Sequence, residues 1–572
     1  MKRFGVLVFV FGLCGQVEAQ FPFALSETGY GVSVASDPNG RVLLLGAFSE
    51  PVDFDPGPGD ATVSPTGSDG YLAFYSEDGF FLEVLVLRAI VGSVSPTTAS
   101  FADDGSFVLS GWFSGTADFD PGPGEHVYSV GGYSRFVARF NAVGELQFAF
   151  PLMIEVFGRR DDVIPGDTDY TLVAGTFEGT IDLDPGPSEA LITSTNSTAV
   201  VVATYDSAGA YLSAFVLRAD EEAISYQLSA DPTGGFAIVG YAESDVDFDP
   251  GPQTVTLEID GSYIARYDFG GSFRELDPLP PLPRYSFADT DFGVDGSVVI
   301  TGTMGSPTDF DVGPGSHVLA AVGLDASYIA RYDANHALIY AFLIEGDIDV
   351  LAIADAGVDV ELTASNAVIA TGYFTGEADF DPGPGTYLQT GSFTSYVARY
   401  SEAGDLEYAF TLDSCCGAGK SSPTLALGLE TFVVSGWFHE DLDVDPGPGE
   451  TILSGGFGSR YAAKYSQDGA IVVGTEESFG WPEPTYAQTR VYPNPFYSST
   501  SVLMIPTSSG SLRIETFDLL GREVGLSAEY AVVAGQRVRH TLSGSSLAPG
   551  TYLLHIVDPT GTTTTRLITK AR

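Results

Sequence analysis

Basic residues are scarce in this chain: 25 Lys and Arg stand against 75 Asp and Glu in 572 residues, a formal net charge of −50. Binding to nucleic acid phosphates needs a basic face, so no nucleic acid partner is expected. Cysteine is nearly absent, with 3 residues, of which Cys415 and Cys416 are neighbours. Adjacent cysteines close only a strained ring and cannot staple distant strands, so the fold must rest on its core. A redox or metal role for the pair stays open. Long apolar runs are missing as well. No stretch of 18 or more apolar residues occurs, so no membrane span is expected.

What is plentiful is glycine, proline and aromatics: 68 Gly, 34 Pro, 39 Phe and 28 Tyr, in a chain that is 44% hydrophobic. That composition describes a globular, turn-rich, strand-forming protein. The first residues have the form of a secretory signal, with Lys2 and Arg3 ahead of the apolar run Phe4–Leu13 and then Val17-Glu18-Ala19. A signal peptide over residues 1–19 is expected, with the mature chain beginning near Gln20. It would remove Cys14, the third cysteine.

A heptapeptide repeats through the body of the chain. Asp-Phe-Asp-Pro-Gly-Pro-Gly stands at Asp53–Gly59, Asp118–Gly124 and Asp379–Gly385, with near copies starting at Asp182, Asp247, Asp309 and Asp443. The copies are 65, 64, 65, 62, 70 and 64 residues apart. A period this regular marks an array of one supersecondary unit. Seven residues before each first Asp is a glycine: Gly46, Gly111, Gly175, Gly240, Gly302, Gly372 and Gly436. Past the loop comes an aromatic, at Tyr75, Phe140, Tyr205, Tyr267, Tyr332, Tyr400 and Tyr465, each preceded at two residues by Ala.

Apolar runs and turns divide each unit into four short strands. In the second unit these are a strand before Asp103-Asp104-Gly105, Phe107–Phe113, Arg135–Phe140 and Leu146–Pro151. Seven four-stranded units predict an all-β protein, a seven-bladed β-propeller over residues 20–474. Phe21-Pro22-Phe23-Ala24-Leu25 has the pattern of Phe148–Leu152, a fourth strand. It is expected to pair beside Arg460–Tyr465 in the last unit and close the ring, with Ala470–Val473 competing for the place. The elements Ser36-Asp37-Pro38-Asn39-Gly40, Gly46 and Arg135–Asn141 resemble the bacterial seven-bladed propeller repeat. The resemblance implies the fold and is nearly silent on function.

The fourteen loop carboxylates are Asp53 and Asp55, Asp118 and Asp120, Asp182 and Asp184, Asp247 and Asp249, Asp309 and Asp311, Asp379 and Asp381, and Asp443 and Asp445. Residues i and i+2 of an extended chain point the same way, so each pair can converge while the residue between turns inward. Such hard oxygen donors suit Ca²⁺. Two plainer roles explain the same residues. Asp before Pro caps its own turn through a backbone N–H, and a basic residue on the third strand (Arg139, Arg266, Arg331, Arg399 or Lys464, with Phe74 and Thr204 in the other two units) could pair with it. Direct ligand readout is a further alternative. No cofactor other than calcium is implied.

Catalytic signatures are lacking. No His-Glu-x-x-His, Cys-x-x-Cys or Gly-x-Ser-x-Gly occurs, and the six histidines (His126, His317, His336, His439, His540 and His555) show no ligand spacing. Gly417–Ser421 looks like a phosphate loop, but Ser414 sits where its first Gly belongs. Ser76–Gly79 and Ser466–Gly469 fall short of sialidase-type Asp boxes.

Charge reverses near the end of the chain. Residues 20–489 carry 15 basic and 69 acidic residues, whereas 490–572 carry 8 basic and 5 acidic. A linker over 475–490 and a separate small β-sandwich over 491–572 follow. Tyr492–Phe496, Phe517–Val524, Leu547–Leu554 and Leu567–Lys570 resemble the type A C-terminal sorting domain of the type IX (Por) secretion system. The resemblance implies recognition of residues 491–572 by the secretion apparatus, and a location outside the cell or on the outer-membrane surface. The expectation is a monomeric, non-enzymatic binding or adhesion module for a glycan or a protein. An extracellular carbohydrate-active enzyme and a surface structural protein are the alternatives.

Overall fold

The structure is a computed structural model. It describes residues 21–472 and 489–570, less 26–31, 58, 153–162, 167–169, 219–222, 244–245, 258–260, 283–286, 322–325, 348–358, 413–422, 429, 440 and 457 in the first part and 493–498, 505–508, 519–521, 523, 525–527, 533–537, 544–546, 549, 558 and 560–562 in the second. The signal peptide, Cys415 and Cys416, the Gly417–Ser421 loop and most of the 475–490 linker lie outside the described residues. All described elements are strands, and they divide into two units, Met1–Thr475 and Glu476–Arg572.

In the first unit each of the first six repeats contributes four antiparallel strands paired in sequence order, and the seventh contributes three. The third repeat is Val163–Gly166, Tyr170–Asp182, Leu191–Asp206 and Tyr211–Leu217. The fourth is Ala223–Ala230, Phe236–Ala242, Gly261–Tyr267 and Phe273–Pro278. The first two repeats share one long strand, Phe81–Phe101, which ends one sheet and begins the next. In the second repeat the middle strands run further than their apolar runs suggested, as Phe107–Asp118 and Val127–Phe140. They continue as a hairpin up to the acidic loop.

The repeated glycine has a packing reason. It pairs across the ladder with a bulky residue of the third strand: Gly46 with Tyr71, Gly111 with Phe136, Gly240 with Tyr263, Gly302 with Tyr328, Gly372 with Tyr396 and Gly436 with Tyr461. A Cβ on Gly240 would come within 2.1 Å of the Ile224 carbonyl and 2.6 Å of the Tyr263 hydroxyl. The ring occupies the space that a side chain would need.

The core is built between repeats. One buried cluster joins Leu172 and Val202 of the third repeat to Leu228 and Ile238 of the fourth. Another joins Ile369 and Val397 of the sixth to Val434 and Ala463 of the seventh. A third joins Val42, Leu44 and Tyr71 of the first repeat to Ala426, Val433 and Ala462 of the seventh, so the contacts return to the first repeat. Phe23–Leu25 is the fourth strand of the seventh repeat: Phe23 pairs with Ala462, Ala24 with Tyr461 and Leu25 with Arg460. This is the pairing expected from its pattern. Ile471 bridges Tyr465 on the same strand further along, so the two segments occupy successive places and do not compete.

The second unit holds two antiparallel sheets. One contains Thr489–Tyr492, Ser499–Met504 and Val538–Ser543, and the other Ala528–Val532, Gly510–Asp518, Gly550–Val557 and Thr563–Lys570. Val502 and Leu542 of the first sheet share a buried core with Leu512, Ile514, Leu554, Ile556 and Ile568 of the second.

Candidate functional site

Each acidic loop is closed by its own backbone. The first Asp accepts two N–H bonds through Oδ1, one from residue i+2 and one from residue i+8. In the second repeat Asp118 takes Asp120 N at 3.1 Å and His126 N at 2.8 Å. The same two bonds recur at Asp53, Asp182, Asp247, Asp309, Asp379 and Asp443. The second Asp accepts the N–H of the glycine two residues on, from Asp55 with Gly57 through Asp445 with Gly447. Its other oxygen fills the space above the last glycine of the motif: a Cβ on Gly59, Gly124, Gly315, Gly385 or Gly449 would meet it at 2.0–2.4 Å. Ser188 and Gln253 hold that place in the other two repeats.

The residue between the two carboxylates points inward. Phe54, Phe119, Leu183, Phe248, Phe310, Phe380 and Val444 are all buried. Its carbonyl accepts the hydroxyl of the tyrosine that recurs in the repeat: Phe54 from Tyr75, Leu183 from Tyr205, Phe248 from Tyr267, Phe310 from Tyr332, Phe380 from Tyr400 and Val444 from Tyr465, at 2.9–3.2 Å. Sequence reading found these aromatics without their role. Phe140 has no hydroxyl to donate in the second repeat. Burial pushes up the hydroxyls of Tyr205, Tyr267, Tyr332, Tyr400 and Tyr465.

The third-strand cations do not pair with these loops. Four of them reach a carbonyl of the next repeat instead, Arg139 that of Tyr170. Arg331 donates to the Glu402 carbonyl, Arg399 to the Gln467 carbonyl and Lys464 to the Glu77 carbonyl at 2.7 Å, the last joining the seventh repeat to the first. Phe74 replaces the cation in the first repeat, where Arg41 lies 5.2 Å from the Phe74 ring centre and reaches the Ala142 carbonyl of the second. Acid groups near the first strands also bridge repeats: Val360 N donates to Asp289, Leu362 N to Asp291 and Leu425 N to Asp359. Loss of water pushes the Asp291 carboxyl up to about 6.

At the junction of repeats four and five the cation meets acids. Arg266 Nε lies 2.7 Å from Asp277 Oδ2 and its Nη1 lies 3.2 Å from Asp231. His336 Nε2 lies 2.9 Å from Asp277 Oδ1 and 3.4 Å from Glu275 Oε1. Among the described residues, Glu275, Asp277 and His336 are the one set of three or more His, Cys, Asp or Glu side chains whose ligand atoms lie within 4.8 Å of one another. The fourteen loop carboxylates form no such set. His336 had shown no ligand spacing in the sequence because its neighbours lie about sixty residues upstream, one repeat away.

Among curated proteins none matches this chain. The solved structures it resembles are distant. Puromycin hydrolase matches at 12% identity and TM-score 0.36, over 84% of this chain and 60% of that one. The extracellular region of plexin A4 matches at 9% and 0.34, over 97% and 67%. Dimeric latent PorU from Porphyromonas gingivalis matches at 12% and 0.14, over 65% and 31%. This chain thus spans less than two thirds of the puromycin hydrolase. The family comparison is specific. Residues 490–570 match the model described as "Secretion system C-terminal sorting domain". The end of this chain is a type IX secretion sorting domain, which marks the protein as a cargo exported to the cell surface or beyond.

Proposed function

We propose that the first unit is a seven-bladed β-propeller, closed by Phe23–Leu25 and carried by a C-terminal β-sandwich to the cell surface, where it acts as a non-enzymatic binding module. The closed succession of inter-repeat contacts, with Lys464 on the Glu77 carbonyl, supports the ring. One observation carries the binding role. The residue paired across the ladder from the first loop Asp is an exposed aliphatic in five repeats: Val127, Leu191, Val318, Leu388 and Ile452. Single exposed apolar residues are ordinary, whereas here the same exposed position recurs in five repeats. Each lies beside a carboxylate, a pairing that suits weak, repeated contact with an extended glycan or protein.

The test replaces these five residues with Ser in the full chain and compares binding to a glycan array and to cell-envelope fractions. Binding lost with an unchanged melting temperature supports the reading. Equal binding by the variant overturns it. Removing residues 490–570 should leave the protein in the periplasm, and normal export of that truncation would break the cargo assignment. The reading takes the acidic loops as turns that hold without an ion. A melting temperature lowered by a chelator and restored by calcium alone would return the fourteen carboxylates to a calcium role.

A further inference from the structure

Three positions of the repeat change together at one place. The turn after the third strand carries a left-handed glycine in six repeats: Gly79, Gly144, Gly209, Gly271, Gly404 and Gly469, with φ of 79–88°. In the fifth repeat this residue is His336, with φ 61°. A left-handed conformation costs a side-chain-bearing residue about 1–2 kcal/mol. It is fixed here by His336 N donating to the Asp333 carbonyl at 2.9 Å. The fourth strand of the preceding repeat packs against this turn. In other repeats it presents stacked aromatics there, Phe148 with Phe150, Tyr340 with Phe342 and Tyr408 with Phe410. In the fourth repeat the same two places hold Glu275 and Asp277, as their ladder partners show: Leu276 faces Ala265 as Ala149 faces Ala138.

Asp277 is 1% exposed, and its Oδ1 faces the His336 imidazole, whose Nε2 is also close to Glu275. The two atoms are 2.9 Å apart, Glu275 Oε1 lies 3.4 Å from the imidazole, and the three ligand atoms all fall within 4.8 Å of one another. Ligands bound at about 2.0–2.2 Å around one ion stand roughly 3–3.5 Å from each other, and the two distances from His336 Nε2, 2.9 Å and 3.4 Å, are close to that spacing. Arg266 holds the other oxygen of Asp277 and is itself neutralised by Asp231, as an outer partner that orients a ligating carboxylate. We propose that Glu275, Asp277 and His336 form a binding site for a divalent transition metal of the zinc class. One nitrogen and two carboxylates satisfy such an ion, and Glu275, 57% exposed at its side chain, leaves the remaining positions open to water. The site ties the fourth repeat to the fifth.

The full chain, stripped of metal, is titrated with Zn²⁺ while its melting temperature is followed, and with Co²⁺ while the visible absorption is read. A rise in melting temperature and one cobalt-dependent absorption band are expected. The variants are Asp277→Asn and His336→Gly. The second restores the residue that six repeats carry, so its folding is secure even if Asp277→Asn fails to fold. His336→Gly should weaken the response about tenfold or more, while Asp120→Asn in an acidic loop should not. A His336→Gly variant that responds like the wild type, or a wild type that binds neither ion, overturns the site and leaves a histidine–carboxylate ion pair.

Discussion

The acidic loops and the seams between repeats solve opposite problems. Every loop uses the same few bonds, all made within nine residues of chain, so every loop carries almost the same sequence. The seams join segments of successive repeats, and their contacts vary more. Arg331, Arg399 and Lys464 each donate to a carbonyl of the next repeat. Arg41 acts over Phe74 at another seam, and Arg266 with Asp231, Asp277 and His336 at a further one. Local geometry demands particular residues, whereas a contact between two surfaces accepts any pair that satisfies its buried groups.

The buried ion pair beside the seam of repeats four and five should be the most costly to break. Arg266→Ala would take the guanidinium from the buried Asp277 carboxylate. Removing one partner of a buried ion pair costs about 3–5 kcal/mol. Urea unfolding should show that loss, and a loss under about 1 kcal/mol would mean that water or a neighbour replaces the guanidinium. Next in size is the glycine beneath the third-strand ring. Gly240→Ala forces a methyl against the Ile224 carbonyl, and such overpacking costs about 1–3 kcal/mol. Gly131→Ala is the control, since nothing lies within 4 Å of a Cβ there.

These elements also show what the sequence could and could not reveal. Period, strand number, the buried residue inside each acidic motif and the pairing of Phe23–Leu25 were all legible, because they follow from patterns along one strand. The extra length of Phe107–Asp118 and Val127–Phe140 was not, since Gly115 and Gly131–Gly132 interrupt the apolar run while the ladder continues beyond them. The third-strand cations were located, and pairing with the acidic loops, one of the alternatives for them, is not what they do. The acidic loops are the nearest charges in sequence, and only the packing of one repeat on the next reveals the carbonyls that Arg331 and Lys464 reach. Glu275, Asp277 and His336 were invisible for the same reason, although His336 in place of a turn glycine was a signal that aligning the repeats at that turn would have exposed.

Between loop and core stands the tyrosine hydroxyl, and repeat two supplies a natural counterpart to its removal. Tyr332→Phe deletes a buried bond to the Phe310 carbonyl and should cost about 1 kcal/mol or somewhat more. Phe140→Tyr offers the Phe119 carbonyl the donor that six other repeats have, and should raise stability by about 0.5–1 kcal/mol. A destabilised Phe140→Tyr would mean that the second repeat has repacked around the missing hydroxyl, with Phe107 stacked on Phe140 at 5.1 Å as the obstacle.

The smallest effect separates the two readings of the loops. If Asp118 serves only to accept the N–H groups of Asp120 and His126, the charge on its carboxylate is incidental and one oxygen is enough. Asp118→Asn keeps that oxygen, because the amide can place its carbonyl toward both donors and its NH₂ toward water. It should change stability by no more than about 0.5 kcal/mol, whereas Asp118→Ala, which leaves both donors without their acceptor, should cost about 1–2 kcal/mol. A loop built around calcium would respond differently, since losing a charged ligand is then nearly as damaging as losing the side chain. Measured in the His336→Gly background, where a chelator no longer acts through the transition-metal site, Asp118→Asn and Asp118→Ala should differ clearly without calcium and keep the same difference with it. Equal losses in the two variants, appearing only when calcium is present, would show that the carboxylate holds an ion and that the loop bonds merely accompany it.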